Sequence, residues 1–198
     1  MKIDLKSLPK AKLDFIEPML DKAVDRLPVK GEWLYELKLD GYRALATKKR
    51  GALTLFSRRG NELNKRFPRI SEAFDFLEDN TIVDGEIVAL DNQGRPSFTS
   101  LQNSLRRARS LYFYAFDLLA YQGKDLRKLP LSDRRVWLEE YALNNAHDPI
   151  RLSTVFNAAP NQLIAAAKRI GLSSRDDVEA QSSREGVGLH CWGNSVPE

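Results

Sequence analysis

The chain has 198 residues, with 31 Lys and Arg against 27 Asp and Glu, a net charge of +4 and an isoelectric point near 9.2. That length suits one domain able to bury its own core, and 42% hydrophobic with 29% charged content excludes a disordered or collagen-like chain. No uncharged apolar run approaches the ~18 residues of a membrane helix, no apolar leader core opens the chain, and the single Cys191 excludes an internal disulfide or a Cys-rich zinc site, so a reducing cytoplasm is the expected compartment.

The first thirty residues form a loop-rich lead-in punctuated by Pro9, Pro18 and Pro28, with one short helix expected over Met19–Arg26. Trp33–Leu39 has a strand pattern, placing Leu34, Glu36 and Lys38 on one face. Tyr42–Lys48 and Ala52–Ser57 form a hairpin across Lys49-Arg50-Gly51. Pro68 suits a helix start, and Ile70, Ala73, Phe74 and Leu77 make its apolar stripe. Thr81–Leu90 alternates as a strand and ends in the turn Asp91-Asn92-Gln93-Gly94. Ser97 opens a short helix ending at Arg106–Arg109, and Leu111–Leu119, apolar on both faces, predicts a central strand. Ser132 caps a helix expected to bury Val136, Trp137 and Tyr141, and Pro160 opens another that Gly171 stops. Short strands mixed irregularly with helices, without a βαβ rhythm, predict an α+β fold with largely antiparallel sheets flanked by helices. Residues 172–198 are polar and nearly aperiodic, and are expected to form a weakly packed tail.

The charge is clustered. Eight basic residues and one acid, Glu62, lie between Lys48 and Arg69, and Arg106, Arg107 and Arg109 form a second cluster. Such clusters suit phosphates of a nucleotide or a nucleic-acid backbone as well as a solvated face.

The string Glu36-Leu37-Lys38-Leu39-Asp40-Gly41-Tyr42-Arg43 resembles the Lys-x-Asp-Gly-x-Arg nucleophile motif of the covalent nucleotidyltransferases: ATP-dependent DNA ligases, RNA ligases and mRNA capping enzymes. Further motifs follow in the same order as in that family. Ser57-Arg58-Arg59-Gly60 is similar to the Ser-Arg-x-Gly turn, Val83-Asp84-Gly85-Glu86 to the Asp-Gly-Glu strand, and Tyr114-Ala115-Phe116-Asp117-Leu118-Leu119 to the aromatic Phe-Asp-Leu-Leu strand. Phe15-Ile16-Glu17-Pro18-Met19-Leu20 resembles the opening of such domains. Pro96-Ser97-Phe98 with Leu101-Gln102-Asn103 resembles bacterial end-joining ligases of the ligase D type.

The resemblance implies an ATP-dependent DNA ligase adenylation domain over residues 1–171, with residues 172–198 divergent. Lys38 would attack the α-phosphorus of ATP to form lysyl-AMP, and AMP would pass to the 5′-phosphate of nicked DNA. Glu36, Arg43, Arg58, Glu86 and Phe116 would bind the nucleotide, with Glu36 turned toward it and the Phe116 ring stacked on the adenine. Asp40 and Glu86 would hold Mg²⁺ or Mn²⁺. Asp117 would brace the site, and Arg59, Lys65, Arg66 and Arg106–Arg109 would meet the DNA backbone. The implied setting is cytoplasmic and nucleoid-associated, with end-joining repair proteins as partners and no membrane.

The match fails downstream. The family's Glu-Gly-hydrophobic strand is expected soon after residue 171, yet only a late echo, Glu185-Gly186-Val187-Gly188, occurs. No lysine follows Lys168, so the Lys-x-Lys strand has no counterpart in these residues, and no OB-fold is expected. The C-terminal strands are therefore expected to be incomplete and the activity of this chain impaired. Two other readings stand beside it: a non-catalytic ligase remnant that binds DNA or a repair partner, and an RNA ligase or guanylyltransferase.

Overall fold

The computed structural model describes residues 4–18, 33–39, 41–92, 94, 96, 101, 111–156, 162 and 188–193, with the side chains of residues 33, 37, 38 and 188–193 outside that description. Strand β1 (Trp33–Lys38) belongs to a small sheet. Strand β2 (Tyr42–Lys49) turns back as β3 (Ala52–Ser57) across Arg50 and Gly51, both at positive φ, 53° and 76°. Positive φ at both central residues matches the turn to the twist of the flanking strands. Pro68 opens a single helical turn, α1 (Pro68–Glu72), and looser turns follow. They still bury Ile70, Phe74 and Leu77 as the apolar stripe requires.

Strands β4 (Thr81–Ala89) and β5 (Leu111–Tyr121) form the sheet interior, and β6 (Lys124–Asp125) closes a tight return. Helix α2 (Leu131–Trp137) continues into a π-helical turn over Leu138–Ala142, where Leu143 N donates to Leu138 O at 2.8 Å. Strands β7 (Ile150–Leu152), β8 (Val155–Phe156) and β9 (Gly188–Gly193) follow.

Six strands form the larger sheet in the order β3-β2-β4-β5-β6, with β7 parallel to β5 and every other pair antiparallel. The small sheet runs β8-β1-β9, both pairs antiparallel. The α+β class is thus observed. The main core lies on one face of the larger sheet, where Phe67, Phe74, Phe113 and Leu55 are fully buried and the Phe74 and Phe113 rings meet edge to face at 5.0 Å. The lead-in covers the opposite face, packing Ala11, Leu13 and Ile16 on Leu45, Ile82, Leu119 and Ala120. Its backbone also ties to the β5–β6 return through Ala11 N to Gly123 O and Asp125 N to Pro9 O, each 2.9 Å.

Three expectations are revised. Helix α2 exposes Val136 (49%) and the π-turn exposes Tyr141 (46%), while Leu131, Arg134, Arg135, Leu138 and Ala142 face inward. Ser132 does not cap the helix; Pro130 stands at that position without a side-chain bond. The inward face carries two arginines because buried acids await them there. Within the stretch expected to be an aperiodic tail, Gly188–Gly193 pair along all of β1 from Trp33↔Gly193 to Lys38↔Gly188. The helices expected over 19–26, from Ser97 to Arg109 and from Pro160 to Gly171 fall outside the described residues, apart from Leu101 and Gln162.

Candidate active site

The registers bring the separated motifs onto one transverse band of the larger sheet. Ser57, Ala44, Gly85 and Ala115 pair in a row across β3, β2, β4 and β5, and beside them Arg43, Glu86 and Tyr114 form the next row. Arg58 follows Ser57 at the exposed turn closed by Gly60 N to Ser57 O at 2.9 Å, with Gly60 at φ 77°. Asp84 pairs with Asp117 while Gly85 pairs with Ala115, so Phe116 is the extra residue of a β-bulge. A bulge bends its strand and re-aims a side chain, a device frequent beside functional sites.

Both motif glycines are needed for close approach. A Cβ on Gly41 would stand 2.3 Å from the Ile87 carbonyl oxygen, and one on Gly85 would stand 2.3 Å from Phe113 Cε1. Gly41 thereby lets the chain leave β1 and enter β2 tight against β4.

Arg43 is held from two sides. Its Nε and Nη2 donate to Asp84 Oδ1 and Oδ2 at 2.7 and 2.8 Å, and its guanidinium lies 4.5 Å from the centroid of the Phe116 ring. Burial pushes the Asp84 carboxyl above its ordinary range, and the bonds and charge of Arg43 oppose that rise. The fork matters here, since a lysine offers one point of charge in place of two directed donors. Arg43→Lys is expected to cost about 1.5–3 kcal/mol, the worth of a hydrogen bond to a charged group, read as a lower urea midpoint with unchanged slope.

Glu36 is 2% exposed, and its Oε1 accepts from Arg135 Nη1. The carboxylate expected to turn toward a nucleotide is thus engaged by helix α2. Arg134, the preceding residue, donates through Nε and Nη2 to Asp117 Oδ1 and Oδ2 at 2.8 and 2.9 Å, which ties β5 to helix α2. The side chain of Lys38 and the whole of Asp40 lie outside the described residues. Leu39, next to Lys38, lines an open cleft of about 220 Å³ with Leu90, Pro96, Tyr114, Ser153 and Thr154.

Sequence reasoning missed Asp84 and Arg135 as organisers of this region, and Arg134 as the partner of Asp117 at the sheet–helix junction. The available signal was a charge inside an otherwise apolar strand and two cations on the inward face of a helix. The basic run is partly committed elsewhere: Lys48 Nζ donates to Asp75 O at 2.7 Å, Lys49 Nζ to Asp14 Oδ1 at 2.8 Å, and Arg66 Nη2 to Tyr42 OH at 2.7 Å. Arg58, Arg59 and Lys65 are exposed, and Arg106, Arg107 and Arg109 fall outside the described residues.

Comparison with known proteins agrees with this arrangement. The multifunctional non-homologous end joining protein LigD of Pseudomonas aeruginosa is 38% identical over 162 residues, covering 80% of this chain and 19% of that protein. The chain thus spans about a fifth of that relative's length. The crystal structure of the ligase domain from M. tuberculosis LigD superposes with a TM-score of 0.61 at 32% identity, covering 79% of this chain and 48% of that one. Mycobacterial DNA ligase D complexed with ATP and MES gives 0.60 at 34% identity, covering 70% and 45%. Residues 16–172 match the family model of the ATP-dependent DNA ligase domain. With its motifs gathered on one band of the sheet, the chain belongs to the ATP-dependent DNA ligase domain family.

Proposed function

We propose that this chain is a ligase adenylation module in which the Lys38 amine attacks the α-phosphorus of ATP. The new P–N bond forms as the P–O bond to pyrophosphate breaks, and the amine gives up its proton. AMP then passes to the 5′-phosphate of a DNA nick. The observation that carries this reading is the position of Leu39: the residue beside Lys38 lines a cleft together with Tyr114, which stands in one row with Arg43 and Glu86.

Arg43 and Arg58 bind ribose and phosphate oxygens, for which guanidinium forks are suited. Phe116 is the platform for adenine, and Glu86 accepts from the sugar hydroxyls. Glu36 serves the strand that carries Lys38, through Arg135, in place of a direct nucleotide contact. A divalent cation, Mg²⁺ or Mn²⁺, neutralises phosphate charge when bound. The half-buried carboxylate of Glu86 fits such an ion, which takes one or two protein carboxylates and fills its remaining positions with phosphate oxygens and water. Asp40 is the second candidate. The exposed Arg59 and Lys65 suit a DNA backbone, where contacts position without reading sequence. End-joining proteins are the partners this family setting supports.

The test is incubation with α-labelled ATP and Mg²⁺ or Mn²⁺, followed by assay on nicked duplex. Acid-labile, alkali-stable label on the protein is expected to form weakly, because residues 169–198 hold no lysine to grip the triphosphate, and nick closure is expected to be poor in consequence. Salt-sensitive DNA binding with no label under either metal would select the non-catalytic reading instead.

A further inference from the structure

We propose that Arg135 is a positioning residue for adenylyl transfer, setting the strand that carries Lys38 against the bulge that carries Phe116. The inference rests on the adenylation reading above. Three acceptors from three parts of the fold converge on this guanidinium. Nη1 donates to Glu36 Oε1 on β1 and to the Phe116 carbonyl oxygen at 2.9 Å, and Nη2 donates to the Ser153 carbonyl oxygen at 2.6 Å. Ser153 lines the cleft beside Leu39, and its own N–H donates to Ala115 O at 2.7 Å, one residue before the bulge.

The small sheet and the larger sheet share no ladder among the described residues. Beyond the short β1–β2 and β7–β8 connections, side chains set their relative placement near the cleft, and Arg135, 9% exposed, supplies a planar fork that reaches both. Glu36 lies two residues before Lys38 on β1, so holding the first limits where the backbone of the second can sit. Displacement of a reacting group by an ångström costs about 100-fold in rate.

Arg134 provides the internal control. It sits beside Arg135 on α2, is buried at 5% exposure, and donates to Asp117 within the larger sheet and to the Leu129 carbonyl oxygen, with no hydrogen bond to β1 among the described residues. Substituting lysine at either position keeps the charge and removes the fork. Loss of fold stability is expected in both variants, whereas loss of registration is expected only in Arg135→Lys.

Two measurements on the intact chain test this. In single-turnover labelling with α-labelled ATP, Arg135→Lys is expected to lower the maximal rate about 100-fold, with KM for ATP changed much less because binding is spread over many contacts. Arg134→Lys is expected to keep a rate within a few-fold of the parent. Hydrogen exchange of the β1 and β8 amides is expected to accelerate at least tenfold in Arg135→Lys and not in Arg134→Lys. Equal rate losses in the two variants, or β1 exchange unchanged in Arg135→Lys, would overturn the proposal. If the parent chain takes no label, the adenylation reading fails on that arm, and the exchange arm alone decides whether Arg135 holds β1.

Discussion

Lys38→Ala is expected to abolish the acid-labile, alkali-stable AMP adduct, leaving label at the background of an ATP-free control. A nucleophile forms the covalent bond itself, so no neighbouring group replaces it within the same geometry. The fold is expected to survive, because Lys38 is the last residue of β1 and its backbone pairing with Gly188 does not depend on the side chain. Equal urea midpoints for parent and variant would establish that. Equal labelling of parent and variant would refute the nucleophile assignment while leaving family membership intact. A lysine must also be neutral to attack, which desolvation and nearby cations favour.

Gly85→Ala is expected to destabilise the fold by more than about 3 kcal/mol, beyond the usual cost of core overpacking. The added Cβ would lie 2.3 and 2.5 Å from Phe113 Cε1 and Cζ and 2.6 Å from the Tyr114 carbonyl oxygen. The ring is fully buried and wedged edge to face against Phe74, and the carbonyl belongs to the β4–β5 ladder, so neither yields cheaply. Urea denaturation measures the loss. Adding Phe113→Leu to Gly85→Ala should recover part of it, since the two positions share one clash and their effects should not add. A Gly85→Ala midpoint equal to the parent's would show that β4 and β5 lie farther apart than described.

The elements that local pattern could specify were legible. The β2–β3 hairpin lies within a residue of its expected limits because alternation and a glycine turn act at short range. The central strand was marked by its apolar run and extends two residues further, to Tyr121. The motif residues could be named, but their assembly could not, since Arg43–Asp84 and Glu36–Arg135 join residues distant in sequence. Helix α2 was read with the wrong face inward for the same reason. Hydropathy counts Arg134 and Arg135 as outward residues, and only the acids on β5 and β1 reverse that. Strand β9 offered no periodic signal in Gly-Leu-His-Cys-Trp-Gly, and its extended form comes from pairing with β1.

The connectivity of the small sheet has a consequence for how the chain acquires and loses its chemistry. The β2–β3 hairpin closes across two residues, whereas β1 must find β9 from near the opposite end of the chain. Loop closure of that span comes late in folding and is repaid by few strands. The segment bearing Lys38, the proposed nucleophile, is therefore expected to assemble last and open first, in the manner of a low-stability cooperative unit. Warming should silence the amine before the larger sheet melts.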